Sequence, residues 1–205
     1  MKRSPALLLL SILLLCSLTA CGHSVPTAFY ALESASGPAQ ADTLPERTLR
    51  IARVAMPAYL DRNGIVSRSK GRSRIDVGTV HVWAEPLADG IARVLNEDLT
   101  APLLAKGLAV LPAASEDKAD YTLYVDLLRL DGGLGHATEL AAHWTVERAD
   151  GERMGKGLFA ARDDALSGSY EDMAAAQSRL VQQLAAYLAR RIEPGHGKSR
   201  APARG

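Results

Sequence analysis

YTLYVDLLRL, the sequence of residues 121–130, alternates apolar and more polar positions. The odd-numbered positions from Tyr121 to Leu127 are apolar, whereas the even-numbered positions between them are Thr, Tyr and Asp. Because successive side chains of a strand point to opposite faces, this pattern predicts a strand with one face in the core.

The segments that follow extend this strand into a meander. Residues 138–147 alternate in the same way, and Asp150-Gly151 supplies the positive φ of a tight turn into a third strand over 154–161. The glycine cluster at 132–135 lacks the Lys-Ser/Thr pair of a phosphate-binding loop, so it is predicted to be a hairpin loop. Three antiparallel strands are expected.

Strand patterns also dominate the chain upstream of the meander. A strand is expected from Thr48 and must end by Pro57, because proline cannot donate to a ladder. Residues 65–68 and 75–77 flank a polar loop in the manner of a hairpin. The loop is basic, and solvation is favoured over contact with anionic headgroups or an acidic partner; its cations are Arg68, Lys70, Arg72 and Arg74.

Two amphipathic helices complete the predicted domain. The first begins at Pro86, and Pro102 should kink or stop it near Ala101. The second is capped by Ser169 and runs to Ile192. These elements predict an α/β (α+β) fold, a single domain over residues 48–193 in which both helices pack on a β-sheet.

Composition narrows the class of protein. The chain has 205 residues and a net charge of +1, and 47% of its residues are hydrophobic. Charge balance argues against nucleic-acid binding, and the hydrophobic fraction argues against intrinsic disorder. A core of this size can fold without disulfides or metals.

Residues 1–20 have the features of a lipoprotein signal peptide. Two cations precede an uncharged run over residues 6–20, which is short for a transmembrane helix. Leu18-Thr19-Ala20-Cys21 resembles the lipobox of bacterial lipoproteins, in which the cysteine is acylated and becomes the mature N-terminus. We predict lipidation of Cys21, for example by palmitate; the alternative is an ordinary secretory peptide that leaves Cys21 as a thiol.

The residues on either side of the predicted domain indicate which membrane the protein is attached to and how the domain is connected to it. Gly22 replaces the Asp that commonly retains lipoproteins in the inner membrane, so we expect the periplasmic face of the outer membrane, with the inner membrane as the alternative. Residues 21–47 predict a mostly flexible tether with a possible first strand at 29–32. Residues 194–205 predict a disordered basic tail.

The chain lacks the sequence signatures of common active sites. No Gly-x-Ser-x-Gly occurs. His81 and His143 could meet in space, but solvated or hydrogen-bonded histidines are favoured over metal ligands. Glu85 and Asp89 lie in the predicted first turn of a helix, where the dipole favours acidic residues. We therefore expect no catalytic residue, no metal and no cofactor.

Five segments carry a family resemblance: FYAL at 29–32, MPAYLDR at 56–62, IVSR at 65–68, WAEPL at 83–87 with IARVL at 91–95, and ADY at 119–121. Together, over about 29–192, they resemble the PqiC-like auxiliary lipoproteins of ABC-type lipid transport systems that work with MCE-domain proteins. The resemblance implies a mixed sheet with two helices and no catalytic residues. It also implies an MCE-domain (PqiB-like) partner and a homo-oligomer.

The leading hypothesis is a non-catalytic, lipid-anchored auxiliary component of a system that moves lipids between bacterial envelope membranes and maintains membrane integrity. Two alternatives belong to other classes. One is an outer-membrane assembly or peptidoglycan-associated structural lipoprotein, and the other is a periplasmic hydrolase with an unrecognised site.

Overall fold

The computed structural model describes residues 25–37, 39–68, 73–112, 115–164 and 168–195. Within these ranges it contains eight strands and two helices. The strands are β1 (Ala28–Tyr30), β2 (Thr48–Ile51), β3 (Gly64–Arg68), β4 (Ile75–Trp83), β5 (Ala109–Val110), β6 (Tyr121–Gly132), β7 (Thr138–Arg148) and β8 (Arg153–Asp163). The helices are α1 (Leu87–Leu104) and α2 (Tyr170–Arg191).

All eight strands belong to one mixed sheet, and β6 is its branch point. Along one path the order is β1-β4-β3-β6-β2-β5, while β7 and then β8 continue from β6. The meander β6-β7-β8 and the hairpin β3-β4 are antiparallel. The pairs β1-β4, β2-β5, β2-β6 and β3-β6 are parallel. The predicted fold class is confirmed, including the mixed sheet that the resemblance implied.

The core lies between one face of the sheet and the two helices. The alternation in β6 and β7 has the predicted phase, since Leu123, Leu127 and Leu140 are fully or almost fully buried. The helices contribute stripes at helical spacing, Ile91, Leu95 and Leu99 from α1 and Leu180, Leu184 and Leu188 from α2, all with no exposed area.

Helix α1 runs further than the sequence pattern predicted. Of the expected kink or end near Ala101, the end is wrong, because the helix continues through Pro102 to Leu104. Proline in the last turn removes one helical donor, and the chain still closes the helix with a bond from the Leu108 N–H to the Leu103 carbonyl. Gly107, at φ 75°, makes the left-handed turn that follows the helix.

The segment expected to be mostly tether is partly fixed. Strand β1 pairs with β4 in the register Ala28–His81 to Tyr30–Trp83, and Leu32 is 3% exposed in the core. Residues 28–36, here called the N-terminal arm, therefore belong to the folded domain. The possible strand at 29–32 occurs two residues shorter at its C-terminal side and begins at Ala28.

Close packing around Trp144 explains two glycines of β8. A Cβ atom added at Gly157 would lie 2.9 Å from the Trp144 Nε1 atom, and one at Gly155 would lie 3.3 Å from the same ring. Trp144 is 5% exposed and packs edge-on against Tyr187 of α2. The ring therefore cannot move aside easily to admit a methyl group.

We expect Gly157→Ala to lower the free energy of unfolding by about 1–3 kcal/mol, because the new methyl overpacks a rigid buried indole. Urea denaturation would measure it. Gly168→Ala is the matched control, since nothing lies within 4 Å of its added Cβ. Equal midpoints for the two variants would contradict the packing account.

Candidate functional site

A fully buried carboxylate on β6 joins two of the segments that carried the family resemblance, residues 56–62 and 65–68. Asp131, at the end of β6, has no exposed area. Its Oδ2 atom accepts hydrogen bonds from the Tyr59 hydroxyl at 2.8 Å and from Arg68 Nη2 at 3.0 Å, and its Oδ1 accepts from Arg129 Nε at 2.8 Å. We call these four residues the Asp131 clasp.

The clasp keeps its carboxylate ionised. Burial alone would raise the pKa of Asp131, but hydrogen bonds from Arg68, Arg129 and Tyr59 outweigh it and hold that pKa below its usual value of 3.8. The pKa of Tyr59 is raised, first by burial and then by its hydrogen bond to Asp131. An ionised and fully hydrogen-bonded carboxylate suits a structural role better than proton transfer near neutral pH.

A second cluster fixes the N-terminal arm to α1. Arg93 pairs with Glu85 at 2.7 Å and donates to the Leu32 carbonyl at 2.8 Å. Asp98 Oδ1 accepts from the backbone N–H groups of Ala35 and Ser36 at 2.9 and 2.8 Å. Glu85, interpreted from sequence as a residue favoured by the helix dipole, therefore also orients the arginine that holds the arm.

Helix α2 holds the arm from its other side. The Ser178 hydroxyl accepts from the Glu33 N–H at 3.0 Å, and the Gln182 side-chain amide donates to the Glu33 carbonyl at 2.7 Å. The arm is thus bound by one strand and both helices, which fixes where the chain enters the domain.

The side of β6, β7 and β8 that faces away from the helices, here called the outer face, exposes large apolar side chains. Tyr124, Leu128 and Leu158 are 46%, 41% and 55% exposed. Leu128 lies at the irregularity where β6 and β7 shift register, between Leu127 and Arg129. In the strand register, Leu158 is separated from β6 by His143, so these apolar side chains are spread over the face and each can contribute to a contact with another protein.

A shallow groove of about 450 Å³ crosses one end of the outer face. Ala141 and Ala160 lie in it, and Arg129, Glu139 and Arg162 line it. Arg129 binds Glu139 at 2.6 Å and Arg162 binds the same carboxylate at 3.4 Å. These pairs join the groove to the Asp131 clasp.

Strand β8 is a long edge. It spans Arg153–Asp163, 11 residues, and in the described part of the sheet it pairs only with β7. Its outer backbone groups can accept a further strand. The strand is exposed or half-buried along its whole length.

The residues singled out from sequence are not brought together into a catalytic site. His81 accepts or donates a hydrogen bond with the Tyr30 hydroxyl at 2.9 Å and stacks on Tyr170, whereas His143 lies on β7 opposite Asp126 and Leu158. Over the described ranges, no three His, Cys, Asp or Glu side chains are grouped closely enough to hold a metal ion.

Several predicted features lie outside the described residues. These include the signal peptide, Cys21, the end of the basic tail, and Lys70 and Arg72 of the basic loop. The two cations of that loop that are described are both paired, Arg68 with Asp131 and Arg74 with Asp76. The clasp and the arm contacts were not predicted; the signal available was Asp98, a charged residue on the apolar side of α1.

We expect Asp131→Asn to lower the free energy of unfolding at pH 7 by about 2–3 kcal/mol, because an amide leaves two arginines poorly paired. Since folding lowers the pKa of Asp131, its stabilisation is complete above pH 3.8 and is lost as pH falls through the folded-state pKa. The gap between variant and parent should therefore narrow in acid.

Denaturant titrations at pH 7, 4 and 3 would check this expectation. Asp150→Asn is the matched control, because Asp150 pairs with Arg148 but is exposed, and its loss should change stability little. A deficit in Asp131→Asn that stays constant from pH 7 to 3 would contradict the assigned ion pair.

The chain is similar to a known protein family and to proteins of known structure. The family model described as "ABC-type transport auxiliary lipoprotein component" matches residues 30–189. An uncharacterized protein of known crystal structure is similar at 22% identity and a TM-score of 0.67, over 81% of this chain and 98% of its own. A Xanthomonas campestris protein of the DUF330 family is similar at 19% identity and a TM-score of 0.61, over 78% and 92%. No curated protein matches the chain.

Proposed function

Because the chain belongs to the family of ABC-type transport auxiliary lipoprotein components, we propose that it is a lipid-anchored, non-catalytic component of an ABC/MCE-type system. In this role it helps to move lipids between the membranes of the bacterial envelope and so maintains membrane integrity. The observation that carries the proposal is the family match, which spans most of the arm, seven of the eight described strands in full and nearly all of α2.

The proposed attachment is through acylated Cys21 at the periplasmic face of the outer membrane. It is supported by the lipobox-like segment at 18–21 and by Gly22 after it. Neither helix of the described ranges is long and apolar enough to cross a membrane. Two or more acyl chains would anchor the protein stably, since one chain alone holds a protein only marginally.

The proposed partners are an MCE-domain protein and further copies of this chain. The outer face and the edge of β8 support this part of the proposal, because the face exposes apolar side chains and the edge strand, in the described part of the sheet, pairs only with β7. Such a role requires surfaces rather than a reactive group. The one fully buried carboxylate of the described domain is already neutralised by Arg68 and Arg129.

Loss of the anchor should separate the protein from membranes. We expect Cys21→Ser to shift the chain from the membrane fraction to the soluble periplasmic fraction, because the sole acyl attachment point is removed. Fractionation followed by immunoblotting measures this. Membrane retention of Cys21→Ser would contradict the proposed anchoring. If Cys21→Ser fully restored detergent resistance to a deletion strain, the proposal that the function requires the anchor would be contradicted.

A charge on the outer face should weaken assembly. Affinity purification of the lipidated full chain from membranes should recover an MCE-domain protein and further copies of the chain, and Leu158→Lys should recover less of either. Leu44→Lys is the matched control, because Leu44 is 69% exposed and lies outside the sheet. Capture of cell-wall fragments instead, or turnover of envelope lipids by the pure protein, would support the alternative classes.

A further inference from the structure

We propose that the sheet edge formed by β1 rests on the lipid surface that holds the anchor, with Phe29 and Val25 inserted among the headgroups. The inference rests on the proposed acylation of Cys21. It goes beyond tethering, because it assigns the domain a fixed contact with the membrane and names the residues that make it.

The first step is the length of chain between the anchor and the domain. Ala28 lies seven residues after Cys21, and seven residues can span at most roughly 25 Å. Ala28 is fixed by its pairing with His81, and the arm that follows is bound to both helices. The β1 edge therefore stays within that distance of the acyl chains.

The second step is the chemistry of this edge. Phe29 and Val25 are each 69% exposed, which places them among the most exposed large apolar side chains of the described residues. Phe29 extends away from the core, whereas Tyr30 beside it hydrogen-bonds His81, which stacks on Tyr170. Transfer of the exposed phenyl and isopropyl groups out of water is favourable. The bilayer that holds the proposed acyl anchor is the nearby apolar phase that could receive them.

A lipid surface fits this edge better than a protein strand does. Strand β1 has three residues, so a strand added to it would gain few backbone hydrogen bonds. The 11 residues of β8 offer much more for such pairing. Insertion into a bilayer requires exposed apolar side chains and a short connection to the membrane anchor. Both conditions are met at β1.

The test uses the cysteine content of the chain. Its two cysteines are Cys16, in the predicted signal peptide, and Cys21, which acylation would block. A cysteine introduced by Phe29→Cys can therefore carry a thiol-reactive NBD fluorophore at one position of the lipidated full chain. The labelled protein is reconstituted into vesicles of phosphatidylethanolamine and phosphatidylglycerol, with or without nitroxide-labelled lipid.

We expect NBD at position 29 to shift its emission to the blue in vesicles and to lose intensity when nitroxide lipid is present. Val25→Cys should behave in the same way, which provides a second reading if one variant folds poorly. Leu158→Cys is the matched control, because Leu158 is 55% exposed but lies on β8. Its NBD should not be quenched by the lipid.

Failure of this inference differs from failure of the anchor. A parent chain that reacts with the fluorophore and does not float with vesicles would contradict acylation of Cys21. A chain that floats, but whose NBD at 29 and 25 is no more quenched than at 158, overturns the membrane contact. A blue shift at 29 without lipid quenching also overturns it, since the probe would then be covered by another copy.

Discussion

The backbone pairing of β6 is the constraint on which the rest of the domain depends. One edge of this strand is satisfied by β7, while the other is shared between β2 near its start and β3 at its end. A single strand therefore holds together the meander, the hairpin and the parallel pair. The chain between β2 and β3 has to run alongside β6, which it does through the bridge from Ala55 to Asp126. That route brings Tyr59 to Asp131, so the clasp is a product of the branching.

The periodic spacing of apolar residues predicted each long strand and helix, but the sequence indicated little about which contacts form between elements that are distant in the chain. Alternation at 121–130 and 138–147, the turn at Asp150-Gly151 and the cap at Ser169 are local signals, and the structure has all of them. The packing of Gly157 of β8 against Trp144 of β7 could not be predicted from the sequence. Only the general rule that glycine in a strand often marks close packing was available. Helix α1 continues through Pro102 because the loss of one hydrogen bond is tolerated near the end of a helix. The effect of a proline therefore depends on its distance from the helix end, which the residue type alone does not give.

The candidate contact surfaces could be predicted less well than the fold. Arg68, assigned from sequence to a solvated basic loop, is instead held to Asp131, a residue 63 positions away. Pairing across such a separation leaves no periodic trace in one sequence. The same reason hid the arm, since Arg93, Asp98 and Ser178 contact residues that look like linker. Cys21 remains a prediction from the lipobox-like segment, and its acylation is part of the proposal above.

The direction of β1 also has a mechanical consequence. Because β1 runs parallel to β4 and the chain leaves it from Ala28, a pull on the N-terminus acts along the strand axis. Bonds in this geometry are loaded together in shear rather than opened one after another, and Leu32, buried behind them, resists withdrawal. The contacts of Arg93 and Asp98 hold the arm at Leu32 and Ala35, further along the chain than β1. A pull on the N-terminus would thus strain several contacts at once, and the joint between the arm and the domain would resist sliding.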